Sequence, residues 1–254
     1  MRKLFYLLFV VAFAAAPVHA QQPAHPWETD QRLFDDASSA VQSGGILALK
    51  PRLPDLEQAL YGAPHAFEVA AQGEGDTHYV LTDGTTDTLG ALIGATVDGG
   101  KGTTVAVSNP YLMIAFYLGS YYNEIGRHED SARVLAAGLA LPDAMGLGES
   151  RPMLLVEQGA ALGALRRFDA ALASYEEALA IPGVDDQTRA YMMRGRGGVL
   201  IDLNRLDEAE ASFRDSLKLA PDSAVAKNEL QYIANLRAGK PVNGSVMTKV
   251  QPQN

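Results

Sequence analysis

The segment GGKGTT at positions 99–104 has the glycines and the lysine of a loop that could hold a phosphate. A phosphate-binding loop also needs a glycine five residues before Gly100 and a serine or threonine directly after the lysine. Ala95 and Gly102 stand at those two positions, and a strand rather than a helix is predicted to follow. The segment therefore indicates a helix-to-strand turn and not a nucleotide site.

Histidines and carboxylates are the other side chains that could support chemistry. The relevant residues are His25, His65, His78, His128, Glu74, Asp76, Asp83 and Asp87. No two histidines have the spacing of a helical metal site, although His65 and His78 could face each other across a hairpin. The carboxylates lack the glycine and the spacing of a calcium loop. Without cysteine or a nucleophile-elbow serine, we expect no catalytic residue, no cofactor and no metal.

The first twenty residues have the composition of an export signal. Arg2 and Lys3 precede an apolar run from Leu4 to Ala16, and Val18-His19-Ala20 places small residues before a cleavage point. The run is shorter than the roughly 20 apolar residues that a membrane-spanning helix needs. We therefore predict a signal peptide over residues 1–20 and no membrane anchor after its removal.

Charge and cysteine content limit the partners and the compartment. The formal net charge is −9, so the chain lacks the basic surface that nucleic acid or an anionic membrane would require. A secreted chain without cysteine has no disulfides and must rely on its core. We expect a periplasmic or secreted protein that does not bind nucleic acid.

A helical pattern recurs three times in the second half of the chain, at residues 126–142, 166–182 and 204–221. In each copy, bulky, small, large apolar and small residues follow one another at intervals of three, four and three. The large apolar residues are Leu135, Tyr175 and Phe213, and a glycine lies in the preceding helix of each copy, at Gly119, Gly159 and Gly197. The spacing predicts helix pairs that cross closely at the glycines and stack on one another.

This pattern resembles the tetratricopeptide repeat family over residues 109–221. The repeats are 40 and then 38 residues apart, and the excess over the family's period of about 34 fits the turns DAMGLGES and GVDDQ. Gln158 and Arg196 stand where the family prefers leucine, and Gly138 and Ser216 where it prefers alanine. An irregular helical domain is the alternative interpretation.

The fold class that we predict is mostly α, with a small α+β region at residues 21–108. Three repeats and a closing helix occupy 109–239, and a disordered tail occupies 240–254. In the N-terminal region, helices are expected at Glu28 to Gln42 and at Pro54 to Leu60, followed by a β-β-α-β unit over 65–108. Because Gly90 and Gly94 weaken the helix of that unit, an all-strand meander is the alternative.

The resemblance implies that the first helix of each pair lines a concave groove. The groove residues would be Met113, Phe116, Ser120, Asn123, Met153, Val156, Ala160, Tyr191, Arg194, Gly198 and Ile201. Apolar side chains on such a face are costly unless a partner or the N-terminal region covers them. Arg194 is the only cation among them, so the lysine and asparagine clamp that binds a terminal carboxylate in some family members is absent.

Three functions are compatible with this sequence. The first is a non-catalytic scaffold that binds a protein or peptide segment in the groove. The second is a small-ligand-binding or enzymatic N-terminal region carried on a repeat scaffold. The third is a structural subunit of an envelope assembly. The fold alone does not choose among them, and we expect the first.

Overall fold

A computed structural model describes residues 26–64, 68–70, 77–97, 103–141 and 149–240. The ranges leave out the predicted signal peptide, the GGKG part of the glycine-rich loop and the predicted tail from residue 241, and also His25, His65, Glu74 and Asp76. Within them, no helix is both long and apolar enough to cross a membrane.

The N-terminal region begins with two helices, as predicted. Helix α1 spans Pro26–Gly44, a 3₁₀ helix spans Ile46–Arg52, and α2 spans Leu53–Tyr61. Trp27 is buried at the start of α1, and its ring centroid lies 5.2 Å from that of Tyr79. Trp27 therefore packs α1 against the sheet that follows.

A three-stranded sheet follows α2. Strand β1 (Glu68–Ala70) pairs antiparallel with β2 (Thr77–Thr82), helix α3 spans Thr85–Val97, and β3 (Thr103–Ser108) pairs parallel with β2. Two neighbouring parallel strands need a crossover connection, which α3 supplies. The predicted β-β-α-β order is confirmed, and the all-strand alternative is wrong.

The rest of the described chain is the predicted array of three helix pairs and a closing helix. The helices are α4 (Pro110–Glu124), α5 (His128–Leu139), α6 (Arg151–Ala164), α7 (Phe168–Ala180), α8 (Asp186–Asp202), α9 (Leu206–Leu219) and α10 (Ala224–Arg237). The side chains of Asn109, Asp185 and Ser223 accept backbone N–H bonds at the starts of α4, α8 and α10. Each therefore caps its helix.

The close crossings predicted within each pair are present. A Cβ added to Gly119 would lie 2.5 Å from Leu135, one on Gly159 2.8 Å from Tyr175, and one on Gly197 2.8 Å from Phe213. Only a residue without a side chain allows such an approach. The small-to-large register of the three copies is therefore confirmed, and all three large residues are buried.

The turn inside each pair contains a residue with a positive φ angle, which the sequence analysis did not predict. Gly126, Arg166 and Asn204 occupy equivalent positions there, and their φ angles are 74°, 60° and 57°. This left-handed conformation costs a residue with a side chain about 1–2 kcal/mol, and Asn tolerates it better than most. Arg166 is therefore the residue least suited to its turn among the three.

The N-terminal helices pack on the first pair of the array through the tyrosines of α4. The hydroxyl of Tyr111 donates to Asp30 of α1 at 2.8 Å, and that of Tyr122 donates to Glu57 of α2 at 3.0 Å. One core cluster accordingly runs from Trp27 to Leu154, and a second one continues from Leu155 to Ile233. Helices α1 and α2 thus form an additional layer on the stack.

The sheet is attached to the second pair of the array. The backbone N–H and the hydroxyl of Ser150 donate to the two carboxylate oxygens of Asp83, each at 2.8 Å. In return, the Glu149 carboxylate accepts from the backbone N–H of Thr85 at 3.0 Å, at the start of α3. Ser150 thus directly precedes α6, but its hydroxyl binds Asp83 instead of capping the helix.

Candidate partner-binding groove

A cavity of about 400 Å³ lies between the first helices of the three pairs. Helix α4 contributes one residue, α6 three and α8 four. The lining residues are Phe116, Met153, Val156, Glu157, Gln187, Thr188, Tyr191 and Arg194. The wall that the sequence assigned to the first helices therefore encloses a real depression, and five of its predicted residues line it.

The other predicted groove residues lie around the cavity or in the core. Met113, Ser120 and Asn123 are half-buried on α4, and Ala160 is exposed on α6. Gly198 and Ile201 are buried in the half of α8 that follows the cavity, and Ile201 belongs to the second core cluster. These two residues do not line the cavity, because the later turns of α8 face the core rather than the open side.

The walls of the cavity are apolar and partly open. Val156 is only 5% exposed at its base, whereas Met153 is 38% and Tyr191 50% exposed. The ring of Phe116 is half-buried, with its centroid 6.0 Å from that of Tyr117. In the part of the chain that the structure describes, no element covers Met153 and Tyr191, so the groove presents apolar surface to its surroundings.

Glu157 is the principal cavity residue that the sequence analysis missed. Asn123 Nδ2 donates to Glu157 Oε2 at 2.8 Å, and Asn123 Oδ1 lies 3.3 Å from His128 Nδ1. Burial raises the pKa of the Glu157 carboxyl, and the Asn123 hydrogen bond only partly opposes the rise. Its position follows Met153 by four residues and precedes Ala160 by three, so helical spacing could have placed it on the groove face.

His128 accordingly has a role beside the groove rather than in a metal site. Burial lowers the pKa of its imidazole, which favours the neutral form. A neutral ring that donates from Nδ1 to Asn123 Oδ1 directs the Asn123 amide nitrogen toward Glu157. Among the described residues, no three His, Asp or Glu side chains are grouped as a metal site.

Arg194 contributes the second charge of the cavity. Its guanidinium carbon lies 5.7 Å from the Tyr191 ring centroid, and desolvation lowers the pKa of the guanidinium. Nη1 of Arg194 is buried and has no hydrogen-bond partner within the described residues. Partial burial raises the pKa of the Tyr191 hydroxyl, Glu157 raises it further and Arg194 lowers it. The Tyr191 hydroxyl is therefore within electrostatic reach of both charges.

Stacked helix pairs with a concave cavity define a class of α-helical repeat proteins. Residues 188–223, which cover most of α8 and α9, match the family model described as tetratricopeptide repeat. The third helix pair thus matches the tetratricopeptide repeat, and the other two pairs stack beside it in one array.

Two solved structures match half of this chain. The first tetratricopeptide domain of Spaghetti (RPAP3), bound to the HSP90 peptide SRMEEVD, is 22% identical with a TM-score of 0.43, and the match covers 50% of this chain and 93% of that chain. The first such domain of human RPAP3 is 23% identical with a TM-score of 0.44, at the same coverage of 50% and 93%. A comparison with curated proteins found no significant match.

Proposed function

We propose that this chain is an exported interaction module that binds a segment of another protein in its concave groove and performs no catalysis. The observation that carries the proposal is the cavity between α4, α6 and α8, on which Met153 and Tyr191 remain exposed. Exposed apolar side chains gathered in a depression are typical of recognition sites. The repeats are the scaffold that brings three helices to one wall.

The groove chemistry indicates the kind of segment. Phe116, Val156 and Tyr191 come from successive first helices and offer apolar contacts along one direction. Arg194 offers a guanidinium whose Nη1 can donate a hydrogen bond to a partner's oxygen. An extended or helical segment with large apolar residues and one acidic residue fits this wall.

The export part of the proposal rests on the sequence. Residues 1–20 have the basic start, apolar run and small-residue end of a signal peptide. The absence of cysteine from the chain is compatible with a soluble protein of the periplasm or of the outside of the cell. The partner would then be another protein of that compartment.

Affinity capture with groove variants tests the proposal. The tagged protein is used to capture partners from periplasmic extract, and captured proteins are identified by mass spectrometry. We expect Phe116→Ala and Tyr191→Ala to reduce capture of a specific partner, with the melting temperature near that of wild type for Tyr191→Ala and moderately lower for Phe116→Ala, because Phe116 also packs against the first core cluster. Leu89→Ala is the matched control, because Leu89 is an exposed apolar residue on α3, outside the cavity.

Charge reversal adds a second readout. Arg194→Glu should weaken capture in a salt-dependent manner, because charge pairs at a partly open site are screened by ions. If the groove truncations instead lower the melting temperature and leave capture unchanged, the face belongs to the protein's own packing and the proposal is wrong.

A further inference from the structure

We infer that the groove selects a partner segment with a basic side chain, lysine or arginine, that pairs with Glu157, in addition to an acidic group that pairs with Arg194. This inference deepens the proposed function and rests on it. Glu157 would select a cation of the partner. The sequence analysis had named Arg194 as the only charged residue of the groove.

The first observation is that the Glu157 carboxylate is not neutralised by the protein. Within the described residues, none of the ion pairs involves Glu157, and the side chains that donate to its carboxylate, Asn123 and Ser120, are both uncharged. A carboxylate can accept about four hydrogen bonds, so part of this capacity remains open. A half-buried anion without a cation is unfavourable, and a ligand cation would offset that cost.

The second observation is that the cavity around the Glu157 carboxylate is apolar and large enough for a long side chain. Glu157 shares the cavity with Phe116, Met153 and Val156, which are apolar. Lysine and arginine have aliphatic stems that pack on apolar walls while their charged ends reach a carboxylate. The cavity volume of about 400 Å³ accommodates such a side chain together with a neighbouring apolar one. The cavity thus fits both the aliphatic stem and the charged end of lysine or arginine.

The third observation is that the two charges of the cavity do not pair with each other. Arg194 is on α8 and Glu157 on α6, and no ion pair joins them within the described residues, although both line the cavity. The Tyr191 ring, over which the Arg194 guanidinium lies, experiences both charges. A partner segment with one basic and one acidic residue would therefore satisfy both groups, whereas a purely acidic segment would leave Glu157 unpaired.

Selection from a display library of random linear peptides tests this inference on the full exported chain. We expect wild type to enrich peptides that contain lysine or arginine beside large apolar residues. Glu157→Gln should lose the enrichment of basic residues and keep that of apolar ones, and it retains an oxygen that can accept from Asn123. Glu157→Lys should enrich acidic residues instead. Glu124→Gln is the control, since Glu124 is exposed at the end of α4 and outside the cavity.

Direct binding of one selected peptide completes the test. Glu157→Gln should weaken binding of that peptide by about 30-fold or more, as expected for loss of one partner of a desolvated charge pair. Replacing the basic residue of the peptide with an uncharged one should weaken wild-type binding by a similar factor but leave Glu157→Gln binding nearly unchanged.

Two negative outcomes are distinguishable. If wild type and Glu157→Gln enrich basic residues equally, or if wild type enriches only acidic apolar peptides, the inference about Glu157 is overturned while groove binding stands. If wild type enriches no peptide, or if selected peptides bind Tyr191→Ala as well as wild type, the proposed function fails and the inference fails with it.

Discussion

The ring of Tyr175 in α7 lies directly against Gly195 in α8, the first helix of the next pair. A Cβ added to Gly195 would be 2.4 Å from Tyr175 Cε1. A Cβ added to Gly159 in α6, the helix that pairs with α7, would be 2.8 Å from Tyr175 Cε2. The ring is thus enclosed by two glycine-bearing helices. This contact joins the second and third repeats, and it makes the packing of each depend on the other.

Alanine at Gly195 should therefore destabilise the array. The added methyl group has no space beside the Tyr175 ring, and such overpacking costs about 1–3 kcal/mol. Gly163→Ala is the matched control, because its nearest atom would be Val199 Cγ2 at an ordinary 3.8 Å. Alanine's higher helix propensity should leave that variant as stable as wild type or more so. Equal melting temperatures for the two variants would show that the Tyr175 contact is not tight.

Truncation of the large core residues should be more damaging. Tyr175→Ala and Phe213→Ala each remove a buried aromatic ring, which typically costs about 3–5 kcal/mol. The loss should lower the stability of the whole array, because adjacent repeats support each other. Urea unfolding followed by circular dichroism measures the effect. Free energies of unfolding within about 0.5 kcal/mol of wild type, the range of surface substitutions, contradict the register described above.

The Glu157 carboxyl should make stability depend on pH in a defined direction. Burial raises the pKa of this carboxyl in the folded state above its ordinary value of 4.5. Folding is therefore favoured below that ordinary value, and this contribution is lost as the pH rises through the folded-state pKa. Because glutamine does not ionise, Glu157→Gln should melt at a higher temperature than wild type at neutral pH.

Thermal melts of both proteins over a pH series check this prediction. The difference between Glu157→Gln and wild type should shrink as the pH falls toward about 4, where the unfolded chain also holds its proton. The Glu124→Gln control should show little difference at any pH, because Glu124 is exposed. If the stabilisation by Glu157→Gln grows as the pH falls, the pKa of Glu157 is not raised in the folded state and the prediction is wrong.

The proposed signal peptide leads to a prediction about the mature protein. Mass spectrometry of the exported chain should find Gln21 at its start, and the protein should remain in the soluble fraction after cell fractionation. Ala20→Asp should block processing, because signal peptidase requires a small residue before the cleavage point. Recovery of exported protein that still begins at Met1, or that stays in the membrane pellet after a salt wash, contradicts this prediction.

The features that the sequence predicted correctly are those with local patterns. Three copies of one small-and-large spacing were sufficient to place Tyr175 and Phe213 in the core, because helix pairs repeat the same contacts. Alternating apolar residues and turn residues were sufficient to predict the order of the strands. Helix α3 formed despite Gly90 and Gly94, because the parallel pairing of β2 and β3 requires a crossover.

The features that it did not predict depend on contacts between distant segments or on unfavourable local geometry. The bond between Asp83 and Ser150 joins residues 67 positions apart, and no local pattern reports it. The groove role of Glu157 depends on its alignment with Asn123 of another helix. The residue type at Arg166 does not signal a positive φ, which instead accompanies the backbone bonds that end α6, from Arg166 N–H to the Gly163 carbonyl at 2.9 Å and from Arg167 N–H to the Leu162 carbonyl at 2.8 Å.

The bond between Asp83 and Ser150 also affects the order in which the helix pairs should unfold. A stack in which every pair touches only its neighbours can fray from either end. Here β2, which precedes the first pair, is fixed to the start of α6 in the second pair. Helices α4 and α5 of the first pair therefore cannot separate from the stack unless the contact between the sheet and α6 breaks as well. The other end is closed by α10, which packs on α8 and α9 of the last pair, so we expect unfolding to start there and to proceed toward the sheet.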